Sequence, residues 1–219
     1  MATALLATLN IVAWFLVVIA NAVSHGSHGV AGIPKALIHH VDSTALLNAG
    51  AIDGATLGSG GWWRLVTSQF LHVEPAHMLF NMVGLVLLGT VLERLFGHWR
   101  FAMIYLAAGT AGQLASVLFA PTLVSSGASQ AVIGLASAYG TTLLLRPHLQ
   151  GARRIVPMAS ILAWTLVQVG LDVASAGAIK PGHLVGFLAG FVLALVVRPP
   201  IDSHRESLVA DSYAAASNR

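Results

Sequence analysis

Residues 125–145 read SSGASQAVIGLASAYGTTLLL. From Ala131 onward the stretch is apolar, yet its head carries Ser125, Ser126, Ser129 and Gln130. A hydroxyl or amide taken out of water without a partner is costly. In a membrane such residues usually mark function. The run from Ala131 to Leu145 is also short beside the roughly 20 apolar residues that a membrane crossing needs. A short apolar helix with a polar head predicts a helix enclosed by other helices. Its head then lies below the membrane surface, and water reaches it only through a cavity open to the outside.

The rest of the chain supports that setting. It has 219 residues, 56% hydrophobic and 9% charged, where a soluble domain carries roughly 25% charged residues. An integral membrane protein follows. Apolar runs predict six spans near 3–22, 74–93, 101–119, 129–145, 156–172 and 182–198. Ala20-Asn21-Ala22 looks like a signal cleavage site, but the preceding run is too long and no basic residue comes before it, so it reads as a span. Residues 1–198 are expected to form one six-span domain, with a long loop over 23–71 and a polar, disordered tail over 199–219. The chain has no cysteine, which excludes a disulfide and a thiol nucleophile. The net charge of +3 is spread among loops and reads as a topology signal, with no nucleic-acid partner.

The basic residues set the orientation. One set of loops holds Arg94, Arg100, Arg146, Arg153, Arg154, Arg198, Arg205 and Arg219; the other holds Lys35, Arg64 and Lys180. The richer side is expected to be cytoplasmic. Both termini then face inward and the 23–71 loop faces outward, in a multi-pass protein of the cell membrane. The second, fourth and sixth spans run from outside to inside, and each has polar residues in its first turns. His77 and Asn81 are spaced i, i+4, on one helix face. Ser129 heads the fourth span, and His183 follows Pro181-Gly182 at the head of the sixth. This topology puts all four at one depth. Gly182, Gly186 and Gly190 form a small-residue ladder that lets helix backbones approach closely.

A serine near a histidine suggests nucleophilic catalysis, in which imidazole takes the hydroxyl proton and the oxygen attacks a carbonyl. The tetrahedral oxyanion needs donors. His77, Asn81 and the backbone N–H of Ser129 at a helix N-terminus can supply them. Asp172 ends a different span and reads as interfacial, so the sequence favours a dyad. At this point proton-coupled transport is an open alternative. His25-x-x-His28 and His39-His40 read as loop histidines, and no metal or other cofactor is expected.

Five motifs, in order, resemble the rhomboid family of intramembrane serine proteases. Trp63-Arg64 is similar to a first-loop pair. His72, His77 and Asn81 stand as H-x4-H-x3-N, and Gly89, Glu93 and Gly97 as G-x3-E-x3-G. Gly127-Ala128-Ser129 is similar to the nucleophile motif, and His183-x2-Gly186-x3-Gly190 to the motif bearing the base. The resemblance covers about residues 60–198 in what looks like the minimal bacterial six-span form. It implies an all-α rhomboid bundle with a long membrane-associated first loop. Ser129 would be the nucleophile, His183 the general base and acid, and His77 and Asn81 the oxyanion donors. His72 would support the loop, Trp62, Trp63 and Arg64 would lie partly in the outer leaflet, and Glu93 would bond inside the bundle. The partners implied are the lipid bilayer and single-span membrane proteins, cut near the outer face. Two positions depart from the pattern. Gln130 stands where glycine is common, and Ile133 where an aromatic residue often packs on the histidine. Gln130 has two readings: it points into the cavity, where it takes up substrate space or contacts the acyl intermediate, which is the favoured one, or it points away and bonds a neighbouring helix or loop. The rivals are a non-catalytic rhomboid-like binder of membrane proteins, whose signature would be a lost serine or histidine, and a small transporter.

Overall fold

The computed structural model describes residues 1–24, 40–145 and 155–197. The 199–219 tail, His25, His28 and His39 lie outside the described residues, as do Lys35 and the basic residues Arg146, Arg153, Arg154, Arg198, Arg205 and Arg219. Among the described residues the long helices are α1 (Ala2–Ser24), then α5 (Pro75–Phe96), α6 (His98–Phe119), α7 (Ser129–Leu145), α8 (Ile155–Ala176) and α9 (Pro181–Val196). Between α1 and α5 lie the short helices α2 (Ser43–Ala49), α3 (Gly54–Gly58) and α4 (Arg64–Thr67), with a 3-10 turn over Ser68–Phe70.

Hydropathy fixes most of this arrangement. Ala2–Val23, Pro75–Phe96 and His98–Phe119 are each 22 residues long and apolar enough to cross a membrane. At about 1.5 Å per residue each spans roughly 33 Å, against a hydrocarbon thickness of about 30 Å. Ser129–Leu145, Ile161–Ala174 and Pro181–Val196 are shorter apolar helices. The molecule is a helical membrane bundle.

The core forms around α7. Of its 17 residues, 14 are buried, from Ser129 to Leu143. Up to Leu143 no face of this helix is left for lipid; only Leu144 and Leu145 at its end are exposed. On α9 the buried stripe is Gly182, His183, Gly186, Gly190 and Ala194. Its other face exposes Leu184, Phe187, Leu188, Phe191, Val192 and Leu195. Apolar area left in water costs about 25 cal/mol per Å², so this outer face belongs against lipid tails.

Polar contacts tie the bundle where apolar burial gives no drive between helices. Glu93, near the end of α5, is 6% exposed. Its carboxylate accepts from the backbone N–H of Ala2 at 2.5 Å, the N–H of Thr3 at 2.9 Å and the Thr3 hydroxyl at 2.6 Å, and also meets His98 Nδ1. A carboxylate satisfying the unpaired donors of a helix start is stabilising there. Glu93 thus bonds inside the bundle, at the first turn of α1.

The first loop, expected as a long loop over 23–71, carries short helices among its described residues. Asp42 caps α2 by accepting from Ala45 N–H at 2.8 Å. Asp53 and Thr56 form a reciprocal cap on α3. These short polar caps allow helices of one or two turns that hydropathy does not register. The loop then reaches across the fold, where Ile52 and Ser125 exchange backbone hydrogen bonds at 3.3 and 2.7 Å. Gly54 N–H donates to Pro121 O at 2.8 Å.

Candidate active site

Ser129 is the first residue of α7 and 3% exposed; His183 lies in the first turn of α9 and is 5% exposed. His183 Nε2 stands 2.7 Å from Ser129 Oγ. What brings two helices so close is the absence of side chains between them. A Cβ on Gly190 would lie 2.0 Å from Gly134 O, and one on Gly186 would lie 2.5 Å from Gln130 O. Backbone packs on backbone, so the imidazole of one helix reaches the hydroxyl of the other.

The segment before Ser129 is held from three sides. Gly127 has φ +119°, in the left-handed region that favours glycine, and a Cβ there would meet the His77 ring at 2.7 Å. Its N–H donates to Ser68 O at 2.9 Å, and its carbonyl accepts from Gln113 Nε2 at 3.1 Å. Ser125 Oγ donates to Gln113 Oε1 at 2.6 Å. Ala128 N–H points at His72 Nε2 over a long 3.5 Å, and His72 is 1% exposed. His72 therefore supports the loop that carries the serine. Its ring packs edge-on against His77 with centroids 5.2 Å apart.

The other expected oxyanion donors, His77 and Asn81, stand one turn apart on α5, and the His77 ring reaches this corner. The first backbone N–H groups of a helix have no carbonyl one turn back, which leaves those of Ser129 and Gln130 available to an anion. His77 lies against Gly127, with its Nδ1 buried and without a hydrogen-bond partner. Asn81 is fully buried, and its Nδ2 donates to His77 O at 2.9 Å along its own helix. An amide nitrogen has two hydrogens, so one remains for another acceptor.

Asp172 corrects the sequence reading. It is fully buried, not interfacial, and its Oδ2 lies 2.5 Å from His183 Nδ1. The signal was weak because the pair is made by α8 and α9 folding together, not by a spacing along one helix. Gln113 was also missed, as a polar residue among small ones on α6.

Gln130 does not line an open cavity. It is 5% exposed. Its Nε2 donates to Ser116 Oγ at 3.4 Å, and its Oε1 lies 3.4 Å from both Gln113 Nε2 and Ser129 Oγ. Gly112 and Gly182 leave the slot it fills, since a Cβ on Gly112 would meet Gln130 Cβ at 2.5 Å. An amide finds partners more readily on the neighbouring α6 than among apolar groups. Ile133 is 3% exposed and lies in the core.

Other predicted residues lie outside the serine-histidine corner. Arg64 bonds within the first loop. It donates to Leu47 O at 2.5 Å and Ala51 O at 2.9 Å, and its guanidinium sits 4.6 Å over the Trp63 ring. Trp62 and Trp63 are 72% and 44% exposed. Glu93 is 16 residues along α5 from His77, about 24 Å at the helical rise. His40 pairs with Glu74 at 2.9 Å.

Comparison with known proteins matches the Rhomboid domain model over residues 59–200. Rhomboid protease GluP of Bacillus subtilis (strain 168) is 34% identical over 161 residues, 73% of this chain and 31% of that protein. RHOMBOID-like protein 4 of Arabidopsis thaliana is 32% identical over 160 residues, 72% of this chain and 40% of that protein. RHOMBOID-like protein 2 of the same plant is 37% identical over 139 residues, 63% of this chain and 43% of that protein. The chain thus spans less than half the length of each of these three relatives.

Proposed function

This chain belongs to the rhomboid family, and we propose that it is an intramembrane serine endopeptidase acting through Ser129 and His183. The 2.7 Å contact between His183 Nε2 and Ser129 Oγ, made between two helices in a nearly closed corner, supports this most directly. His183 takes the hydroxyl proton as Ser129 Oγ bonds to the scissile carbonyl carbon. The carbonyl oxygen becomes an oxyanion, bound by Ser129 N–H, His77 and the spare hydrogen of Asn81. The intermediate collapses, the peptide C–N bond breaks, and His183 returns the proton to the leaving amine. Water, deprotonated by His183, then attacks the acyl ester; the C–Oγ bond breaks and His183 returns that proton to Ser129 Oγ.

The substrates are single-span membrane proteins, cut near the outer face where their helix unwinds. Six spans, with both termini on the cytoplasmic side of the cell membrane, give the serine corner that depth. The test is cleavage of a single-span substrate after both proteins are placed in lipid vesicles. The parent should release two fragments, and Ser129→Ala and His183→Ala should release none above background. Cleavage by Ser129→Ala at the parent rate would contradict the function.

A further inference from the structure

The pair at the centre of the proposed reaction does not stand alone, and we infer that Asp172 is the positioning residue that fixes which nitrogen of His183 carries the proton. This rests on the proposed serine-protease function and adds a third member to it. Asp172 Oδ2 lies 2.5 Å from His183 Nδ1, and His183 Nε2 lies 2.7 Å from Ser129 Oγ. Asp172, on α8, is fully buried, and His183 and Ser129 are 5% and 3% exposed. The three side chains thus form one line across α8, α9 and α7.

The chemistry follows from what each group can donate. An ionised carboxylate only accepts hydrogen bonds, and neutral imidazole has one N–H and one bare nitrogen. Bonded to Asp172, Nδ1 must hold the proton. Nε2 is then bare and faces the Ser129 hydroxyl, as a general base must. When Nε2 takes up the serine proton, the carboxylate lies against the imidazolium that forms.

Asp172 is itself held in place. Its Oδ2 accepts from Lys180 N–H at 3.3 Å, and its Oδ1 lies 3.4 Å from Gln168 Nε2 and 3.7 Å from Lys180 Nζ. The Gln168 amide and the Lys180 main-chain N–H, which Lys180→Ala leaves in place, hold its rotamer, while the Lys180 ammonium lies farther off on a half-exposed side chain. A carboxylate placed only to anchor the loop before α9 would serve as well through Lys180 alone. The short bond to Nδ1 is what such an anchor does not need.

The experiment is nitrogen NMR of the full chain in detergent micelles, with 15N-labelled histidine and His183 identified by its loss in His183→Gln, alongside kinetics. The parent should show His183 protonated on Nδ1 and bare on Nε2. In Asp172→Asn the amide donates to Nδ1 and the proton should move to Nε2. Turnover should fall about 10²–10⁴-fold with KM little changed, as when the orienting aspartate of a soluble Ser-His-Asp site is replaced. Asp172→Glu should recover part of the loss. Lys180→Ala, which breaks a half-exposed ion pair, should stay within about fivefold of the parent. A parent His183 bare on Nδ1 would overturn the inference, and this reading does not depend on an Asp172 variant folding. Parent-like turnover in Asp172→Asn, or an equal loss in Lys180→Ala, would overturn it too. Should Ser129→Ala retain cleavage, the protease function itself fails, whereas the tautomer measurement stands by itself.

Discussion

His72 shows how a single buried ring can tie stability to pH. It is 1% exposed in the segment leading into α5, with Ala128 N–H pointing at it. Burial, and then the nearby His77, push its pKa down to about 3. In the unfolded chain it titrates near about 6.5. The folded state therefore binds fewer protons than the unfolded state between these values. Its contribution is intact above about 6.5, falls as pH drops toward 3, and levels off below that. Between pH 7 and pH 5 the loss is about 2 kcal/mol. His72→Gln should flatten the acid side of a melting-temperature profile over that window. A slope equal to the parent's would mean that His72 is not buried neutral. At this same scale, Ser129 and His183 were legible in the sequence because topology alone puts them at one depth. Asp172 was not, because it meets His183 only once α8 and α9 are packed. The direction of Gln130 was left open by the sequence, with the cavity favoured, for a related reason. A residue at a helix head can face several neighbours, and here Gly112 and Ser116 of α6 offered both room and a partner.

Among the helices, the closest approach between α7 and α9 controls the reacting distance. A Cβ on Gly190 would sit 2.0 Å from Gly134 O, an atom of the main chain that cannot rotate away. Gly190→Ala must therefore move α9 off α7. His183 lies two turns away on the same rigid helix, so the 2.7 Å contact to Ser129 should open. A displacement of about 1 Å in a reacting geometry can cost about 10²-fold. Turnover should fall by that order while the folded helix content, read by circular dichroism, stays near the parent's. Unchanged turnover would show that the two helices have slack. This ladder was visible in the sequence, since glycines four apart announce a close helix contact. The positions of the long helices were visible too, from apolar runs. The short helices of the first loop were not read, although Asp42 and the Asp53-Thr56 pair are the capping signals that mark them.

In the whole molecule, one surface is greasy and one corner is polar, and the membrane relates the two. The proposed orientation sets the first loop outside and the turn between α5 and α6 inside. The chain has no cysteine, so a single introduced thiol reports its side without background. Ser43, on the first loop, and Trp99, in the first turn of α6 beside that turn, are both exposed. Ser43→Cys should react with a membrane-impermeant maleimide in whole cells, and Trp99→Cys should react only after the membrane is opened. The reverse pattern would invert the topology and put the serine corner at the inner leaflet. Helix termini brought from distant parts of the chain converge on that corner, and its central claim is an activated hydroxyl at Ser129. Reaction with a fluorophosphonate probe tests that claim most directly, read as the modified peptide by mass spectrometry on protein in detergent. The adduct should form on Ser129 alone and be absent in His183→Ala. An adduct on another serine, or one on Ser129 that forms equally well without His183, would contradict it.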